Sequence, residues 1–460
     1  MTALATIEVR SPYSGEFVGE APAASPQQVE ALLDAGAQYS NSLSRHERSQ
    51  ILFAVAEALA SRVDDLARLI SSESGLCLKD TRHEVTRSVD VFRFAAIEAL
   101  RDDGESFAGD ITPNGRDRRA HTLRVPVDLV AAITPFNHPV NQVAHKIAPA
   151  IAAGAPIVLK PSEKTPLSAF ALVGLAHRAG LPEAAAQVVC GEPAAILDWF
   201  LAHPAVELIS FTGGVAVGKS IAQRLGYRRA VLELGGNDPL IVLGDADLEE
   251  ASRLAVEGAF RNSGQRCTAV KRIIAVGSVA DELAERIAAG AAAIRSGDPL
   301  DEDTDMGTVI DERAAIEIQA RVHEAVDAGA SLLHGGDRDG ALLTPAVLDH
   351  VPPDARLVAQ ETFGPVAPII RVRDLDQAIA VANSTPYALS SGVCTFDWRA
   401  ISRCIRELRA GTVNIREVPG WRTELTPFGG VGDSGLGVKE GVREAIAAMS
   451  FKKLYTLPWE

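Results

Sequence analysis

From residue 125 onward, short apolar runs alternate with longer stretches in which apolar positions recur every three or four residues. Residues 127–134, 156–159, 186–189, 206–211 and 230–234 read as strands, with helical patterns over 140–153 and 167–178 between them. Strand, crossover helix and strand in that order build a parallel sheet. A second series of the same kind runs from Pro239 to about Thr412, which makes the chain α/β with two such domains. No Pro/Ser-rich linker separates them, so the boundary near Gly235-Gly236 rests on the repeated pattern and on the glycines. Ahead of the sheets, Ile51, Leu52, Val55 and Leu59, and then residues 84–101, carry helical spacing and predict an outer helical layer. The stretch 118–124 and the alternating tail 450–457 read as strands that offer pairing surface to another subunit.

Composition narrows the class. At 460 residues the chain exceeds one ordinary core, and 47% hydrophobic with 23% charged residues is the balance of a packed soluble protein. A formal net charge of -15 argues against non-specific attachment to nucleic acid or to an anionic membrane, so an anionic ligand has to be met by placed cations. The five cysteines, Cys77, Cys190, Cys267, Cys394 and Cys404, are odd in number and contain no CxxC pair. They read as free thiols in a reducing compartment, with no metal site. Met1 to Arg10 shows no basic stretch followed by an apolar core, and no run reaches the length of a membrane span, which points to the cytoplasm.

Two glycine patterns compete as nucleotide sites. The segment from Gly213-Gly214 to Gly218-Lys219-Ser220 has Walker A spacing after an apolar run, and the run 240–243 with Asp245 imitates a Walker B strand; alone they suggest an ATP hydrolase. Against that reading, the first strand-to-helix turn of the sheet lies elsewhere, and a short glycine pattern often matches by chance. The dinucleotide fingerprint GxGxxG is absent. The second strand instead ends in Lys160-Pro161-Ser162-Glu163, and an acid at that place is set to bind ribose hydroxyls. Glu163 repels an added 2′-phosphate while Lys160 and Ser162 attract one, so the tetrapeptide favours NAD and admits NADP.

Three further segments carry the chemistry: Thr134-Pro135-Phe136-Asn137-His138-Pro139, Leu232-Glu233-Leu234-Gly235-Gly236-Asn237, and Asn262-Ser263-Gly264-Gln265-Arg266-Cys267-Thr268. Together with Phe211-Thr212-Gly213, Glu361-Thr362-Phe363-Gly364-Pro365 and Pro427-Phe428-Gly429-Gly430, they make the sequence resemble the aldehyde dehydrogenase superfamily from about Pro12 to the tail. The resemblance implies a Rossmann-type dinucleotide-binding domain over 1–110 and 127–234, an α/β catalytic domain over 235–430, and a small β flap over 111–126 and 440–460. That flap would pair subunits into dimers or tetramers. It also turns the Walker-like loop into a turn packed on the cofactor, with Gly213 and Gly218 at its ends. Thr134, Pro135, Phe136, Leu234, Glu361 and Phe363 join Lys160, Ser162 and Glu163 around the dinucleotide, Glu361 at the nicotinamide ribose and Phe363 near its ring. Phe428 would line the substrate tunnel.

The residue types suit the reaction the resemblance implies. An aldehyde yields hydride readily once a nucleophile has made it tetrahedral and an oxyanion pushes from the same carbon. Cys267 is the nucleophile for a thiohemiacetal and then a thioester; Asn137 and the Cys267 N–H stabilise the oxyanion; Glu233 activates the hydrolytic water. The presence of Glu233 argues against a coenzyme A-acylating relative. A non-catalytic relative that kept the fold has no need of all three.

Arg87, His138, Arg266 and Arg422 add cations around these segments and suit an aldehyde carrying a carboxylate, phosphate or phosphonate. They resemble the lactaldehyde and phosphonoacetaldehyde dehydrogenase branch, as do Gly437-Val438-Lys439-Glu440-Gly441 and Leu457-Pro458-Trp459. Three positions depart from the superfamily's usual residues: Arg416 for asparagine, Ala388 for glycine, and Gly214 for serine. Arg416 puts the size of the substrate tunnel in question.

Overall fold

The computed structural model describes residues 5–459. Met1 to Leu4, part of the stretch read for targeting, and Glu460, at the end of the flap range, lie outside the described residues.

Two largely parallel sheets carry the chain. The first has the order Ala186–Val188, Ile157–Lys160, Val130–Ile133, Leu208–Thr212, Arg229–Glu233, all parallel. Ile157–Lys160 and Leu208–Thr212 are buried along their whole length, as strands covered on both faces must be. The chain builds outward from Val130–Ile133 in one direction, then returns to build outward in the other. That reversal opens a crevice at the carboxyl ends of the strands, and residues 134–137 sit on its rim.

The second sheet runs Ser331–His334, Ala346–Asp349, Val366–Val372, Arg272–Val276, Pro239–Val242, Ser390–Cys394, Thr412–Ile415, with only the first of these antiparallel to its neighbour. Between Pro239–Val242 and Arg272–Val276, helix Leu248–Phe260 crosses over and is followed by the loop that holds Cys267.

The helical layer over the first sheet is as the periodicity predicts, but longer. Arg45–Ala60 begins with a reciprocal cap between Ser44 and Glu47, and Leu78–Glu98 runs 21 residues. Leu52, Val55, Leu59, Val85 and Phe92 share one core with Val130, Ile157 and Leu159; burying each large side chain contributes about 1.5–3 kcal/mol. A hairpin of Thr6–Arg10 and Phe17–Pro22 precedes these helices, and its short strands gave no pattern distinct from a loop.

A third sheet joins Ser450–Pro458 to Arg118–Pro126 in antiparallel register, with Ser106–Ala108 on the far side. The two stretches read as surface for another subunit therefore pair first with each other. Phe451, Leu454, Tyr455 and Leu457 remain exposed on this sheet. Cys77, Cys190, Cys394 and Cys404 are buried free thiols. No described helix is long and apolar enough to cross a membrane.

Candidate active site

Before Cys267 the backbone turns left-handed at three consecutive residues, Asn262 (φ 60°), Ser263 (φ 52°) and Gly264 (φ 68°). For the two non-glycine residues this costs roughly 1–2 kcal/mol each, and a clamp of hydrogen bonds offsets it. The Asn262 N–H donates to Asp80 Oδ2 (2.7 Å) and its Nδ2 to the Asn137 carbonyl (3.0 Å). Ser263 Oγ donates to the Gly307 carbonyl (3.0 Å), and Gln265 Oε1 accepts from the Ile310 N–H (2.9 Å). Gly264 is required twice over, because a Cβ there would also strike the Gly364 backbone. The clamp leaves Cys267 largely buried with a part of its surface open. Burial of its surroundings pushes the thiol up to about 12, with Asp238 and Glu361 adding to the rise and Lys271 and Arg422 opposing it.

Asn137, one turn beyond the central strand, is buried beside that loop. Its Nδ2 donates to the Gln265 carbonyl at 2.8 Å and faces His138 Nδ1 at 3.2 Å. Glu233 closes the strand Arg229–Glu233; it is 3% exposed, and neither carboxyl oxygen has a partner among the described residues. Burial, then the charge of Glu440, push its pKa well above the usual range. Glu440 is itself ion-paired to Lys146, and both are buried.

The crevice of the first sheet gathers the expected cofactor residues. The Thr134 N–H donates to the Lys160 carbonyl (3.1 Å), while Thr134 Oγ1 is buried without a partner among the described residues. Lys160 Nζ donates to Glu163 Oε2 at 2.9 Å, and Ser162 Oγ accepts from the Lys164 N–H. Gly213 donates to the Glu233 carbonyl, and Gly218 packs directly on the Leu234 side chain. Pro135 leads into Phe136, whose ring meets Phe363 edge-on at 5.9 Å. From the second domain, Glu361 accepts the Gly236 N–H (3.1 Å) and pairs with Lys271, whose ammonium lies 4.9 Å from the Phe363 ring centre. Gly235 lies so close that a Cβ would enter the Glu361 carboxylate. A glycine-lined crevice with an acid at each end, a free buried hydroxyl and an aromatic pair fits a nicotinamide dinucleotide.

On the opposite side of the nucleophile loop lies a cavity of about 460 Å³ whose wall includes Arg87, His138, Arg261, Arg266 and Arg422. Arg87 pairs with buried Glu424, and Arg261 with Asp80 and Glu257. Arg266 has no carboxylate at salt-bridge distance among the described residues. Its Nη2 donates to the Gly258 carbonyl (2.8 Å), its Nε lacks a partner there, and burial followed by the Arg261 charge lowers its pKa to about 10. Arg422 stands 4.0 Å from Glu424 and covers the ring of Phe428 at 3.9 Å. His138 is pushed well below its ordinary pKa by burial and by Arg87, Arg266, Arg261 and Arg422.

The profile of the Aldehyde dehydrogenase family matches residues 1–454. The chain belongs to the aldehyde dehydrogenase family. It is 36% identical over 452 residues to the 3-sulfolactaldehyde dehydrogenase of Priestia aryabhattai, covering 98% of this chain and 94% of that protein. It is 36% identical over 451 residues to the sulfoacetaldehyde dehydrogenase of Neptuniibacter caesariensis, covering 97% and 98%. Among solved structures, the NADP-dependent glyceraldehyde-3-phosphate dehydrogenase of Bacillus halodurans complexed with NADP superposes with a TM-score of 0.96 at 38% identity, over 99% of this chain and 96% of that one. This aldehyde dehydrogenase is accordingly an NAD(P)-dependent oxidoreductase.

The ATP hydrolase alternative is not favoured, and the geometry explains why. Lys219 turns away from its loop to pair with Asp433 at 2.7 Å. Asp245 belongs to the other sheet, where it accepts from Thr395 Oγ1 and the Phe396 and Asp397 N–H groups. Arg416 points away from the nucleophile: it pairs with Glu250 through two nitrogens and stacks on Phe396 at 4.2 Å, its φ of 54° being one that asparagine adopts more easily. Ala388 is buried, its N–H donating to Ser434 Oγ, and the space around Gly214 is open. Sequence reading missed Lys146, Lys271, Arg261 and Glu424. A lysine inside the apolar helix Asn141–Ala153 was the one legible signal, since a fully buried lysine needs a partner.

Proposed function

We propose that this aldehyde dehydrogenase oxidises a small aldehyde bearing an anionic group, a sulfonate, phosphonate or carboxylate, to the corresponding acid. The observation that carries the reading is the convergence of Arg87, His138, Arg266 and Arg422 on one cavity beside the Cys267 loop, with Arg266 unmatched by a carboxylate and Arg422 only distantly matched. Relatives named for 3-sulfolactaldehyde and sulfoacetaldehyde agree with it.

In this reading the Cys267 thiolate, favoured by Lys271 and Arg422, adds to the carbonyl carbon to give a thiohemiacetal. The Asn137 amide and the Cys267 N–H receive the oxyanion. Bound NAD(P)+ supplies the hydride acceptor, held by Lys160, Ser162, Glu163, Glu361 and Phe363 with Thr134, Pro135 and Phe136. The thioester on Cys267 is then hydrolysed by water that gives its proton to Glu233. To take that proton Glu233 must first lose its own, which calls for its carboxyl to reach water and leave the burial, and then the Glu440 charge, that hold its pKa up. The domain ranges stated from the sequence, a flap that pairs subunits through the third sheet, and a cytoplasmic setting complete the proposal.

The test is reduction of NAD and of NADP across neutral, carboxylated, sulfonated and phosphonylated aldehydes, with Cys267→Ala alongside. We expect the anionic members to lead and the variant to lose roughly 10⁴-fold or more. Turnover surviving in Cys267→Ala would overturn the thioester route.

A further inference from the structure

The Asn137 side chain has two N–H bonds, and both are engaged. One points to the Gln265 carbonyl at 2.8 Å. A carbonyl oxygen only accepts, so the atom facing it is the amide nitrogen and the amide orientation is determined. The second faces His138 Nδ1 at 3.2 Å. An amide nitrogen only donates, so His138 Nδ1 must be the bare nitrogen and the proton must sit on Nε2. Burial and the four arginines keep the ring neutral, which leaves Nδ1 able to accept.

We propose that His138 is a positioning residue for Asn137: its Nδ1 holds the second Asn137 N–H aimed and ready, and surrenders it to the oxyanion when the aldehyde is attacked. The inference rests on the oxyanion role proposed for Asn137. The bond to the Gln265 carbonyl is the shorter of the two and fixes the amide plane. The longer bond to a neutral nitrogen is the one an anionic oxygen displaces, because charge-assisted hydrogen bonds are about twice as strong as neutral ones. A donor already aimed costs little reorganisation when charge develops. Since His138 also lines the arginine cavity, one ring serves both ends of the substrate, Nδ1 the oxyanion donor and Nε2–H the anionic group.

Two substitutions separate those ends. Asparagine places its side-chain oxygen where Nδ1 stood and has nothing at Nε2; glutamine places a donor near Nε2 and no acceptor near Asn137. Steady-state kinetics with one anionic and one neutral aldehyde of equal length read the outcome. His138→Gln is expected to lower kcat about tenfold for both aldehydes with little change in KM. His138→Asn is expected to recover most of that kcat while raising KM for the anionic aldehyde alone. In an Asn137→Ala background, His138→Gln is expected to add little further loss, the mark of coupled groups. Should His138→Gln fail to fold, His138→Ala removes the same acceptor and carries the same expectation. Equal kcat for the two substitutions, or full additivity with Asn137→Ala, would overturn the inference. An unchanged anionic KM in His138→Asn would instead count against the anion cavity and leave the kcat comparison to stand on its own.

Discussion

The two sides of Cys267 follow different electrostatic plans. In the cofactor crevice three lysines have their acids: Lys160 holds Glu163, Lys271 holds Glu361, and Lys219 at the rim holds Asp433. The substrate cavity is lined by acids as well as arginines, yet they are unevenly matched: Arg87 and Arg261 hold carboxylates, while among the described residues Arg266 is left with backbone carbonyls alone. In the proposed reading the cofactor crevice would hold a dinucleotide by shape and by hydrogen bonds to its hydroxyls, and paired charges would orient it without repelling. A small aldehyde has little surface to bury, and in the proposed reading Arg266 and Arg422 together turn one anionic group into most of the recognition.

The largest effect expected to sharpen this contrast lies between the two sides, at Glu233. Glu233→Gln should lower turnover by about 10² to 10⁴-fold, with an acyl-enzyme accumulating in a burst that rapid quench detects. Its stability should move the other way. The folded chain holds the Glu233 proton to higher pH than the unfolded chain does, so the wild-type carboxyl costs stability as pH rises above the unfolded value of about 4.3. Scanning calorimetry should find Glu233→Gln at least as stable as wild type near neutrality, the difference growing with pH until the raised pKa is passed.

Gly264→Ala breaks the clamp that separates the sides. Strain at a positive φ and the clash with Gly364 should cost about 1–3 kcal/mol of stability and roughly 10²-fold in kcat through a misplaced thiol. Iodoacetamide reaction of Cys267 reads the second effect without substrate. In wild type that reaction should still accelerate between about pH 7 and about pH 9, because the thiol is held up to about 12.

Smaller effects test each side alone. Arg266→Met should raise KM about tenfold for an anionic aldehyde and leave a neutral one nearly untouched. Glu163→Gln should improve NADP over NAD by a few fold, seen in the ratio of their kcat/KM values, with no change in aldehyde preference.

Legibility in the sequence followed the same division. Apolar strands in a parallel sheet announce themselves, and the segments ending at Asn137, Glu233 and Cys267 sit at strand ends or in a glycine-marked loop, so their neighbourhood could be read. Arg87, Arg266 and Arg422 could be named as cations because their type is visible in the sequence, whereas His138, named with them, is held neutral by burial and by those same arginines. Their pairing could not, since Glu424 reaches Arg87 across 337 residues. The ion pair of Lys146 with Glu440 spans 294 residues and was hidden for the same reason. Asn262 and Ser263 gave no sign of left-handed backbone, because the bonds from Asp80 and Gly307 that sustain it come from distant elements.

Whether the cavity beside Cys267 selects for charge decides which aldehydes the enzyme takes. The direct measurement is the ratio of kcat/KM for sulfoacetaldehyde to that for propanal, in wild type and in Arg422→Leu. We predict at least a tenfold or so preference for the sulfonate in wild type, falling toward parity in the variant. Equal kcat/KM values in wild type, or a preference that Arg422→Leu leaves intact, would contradict it.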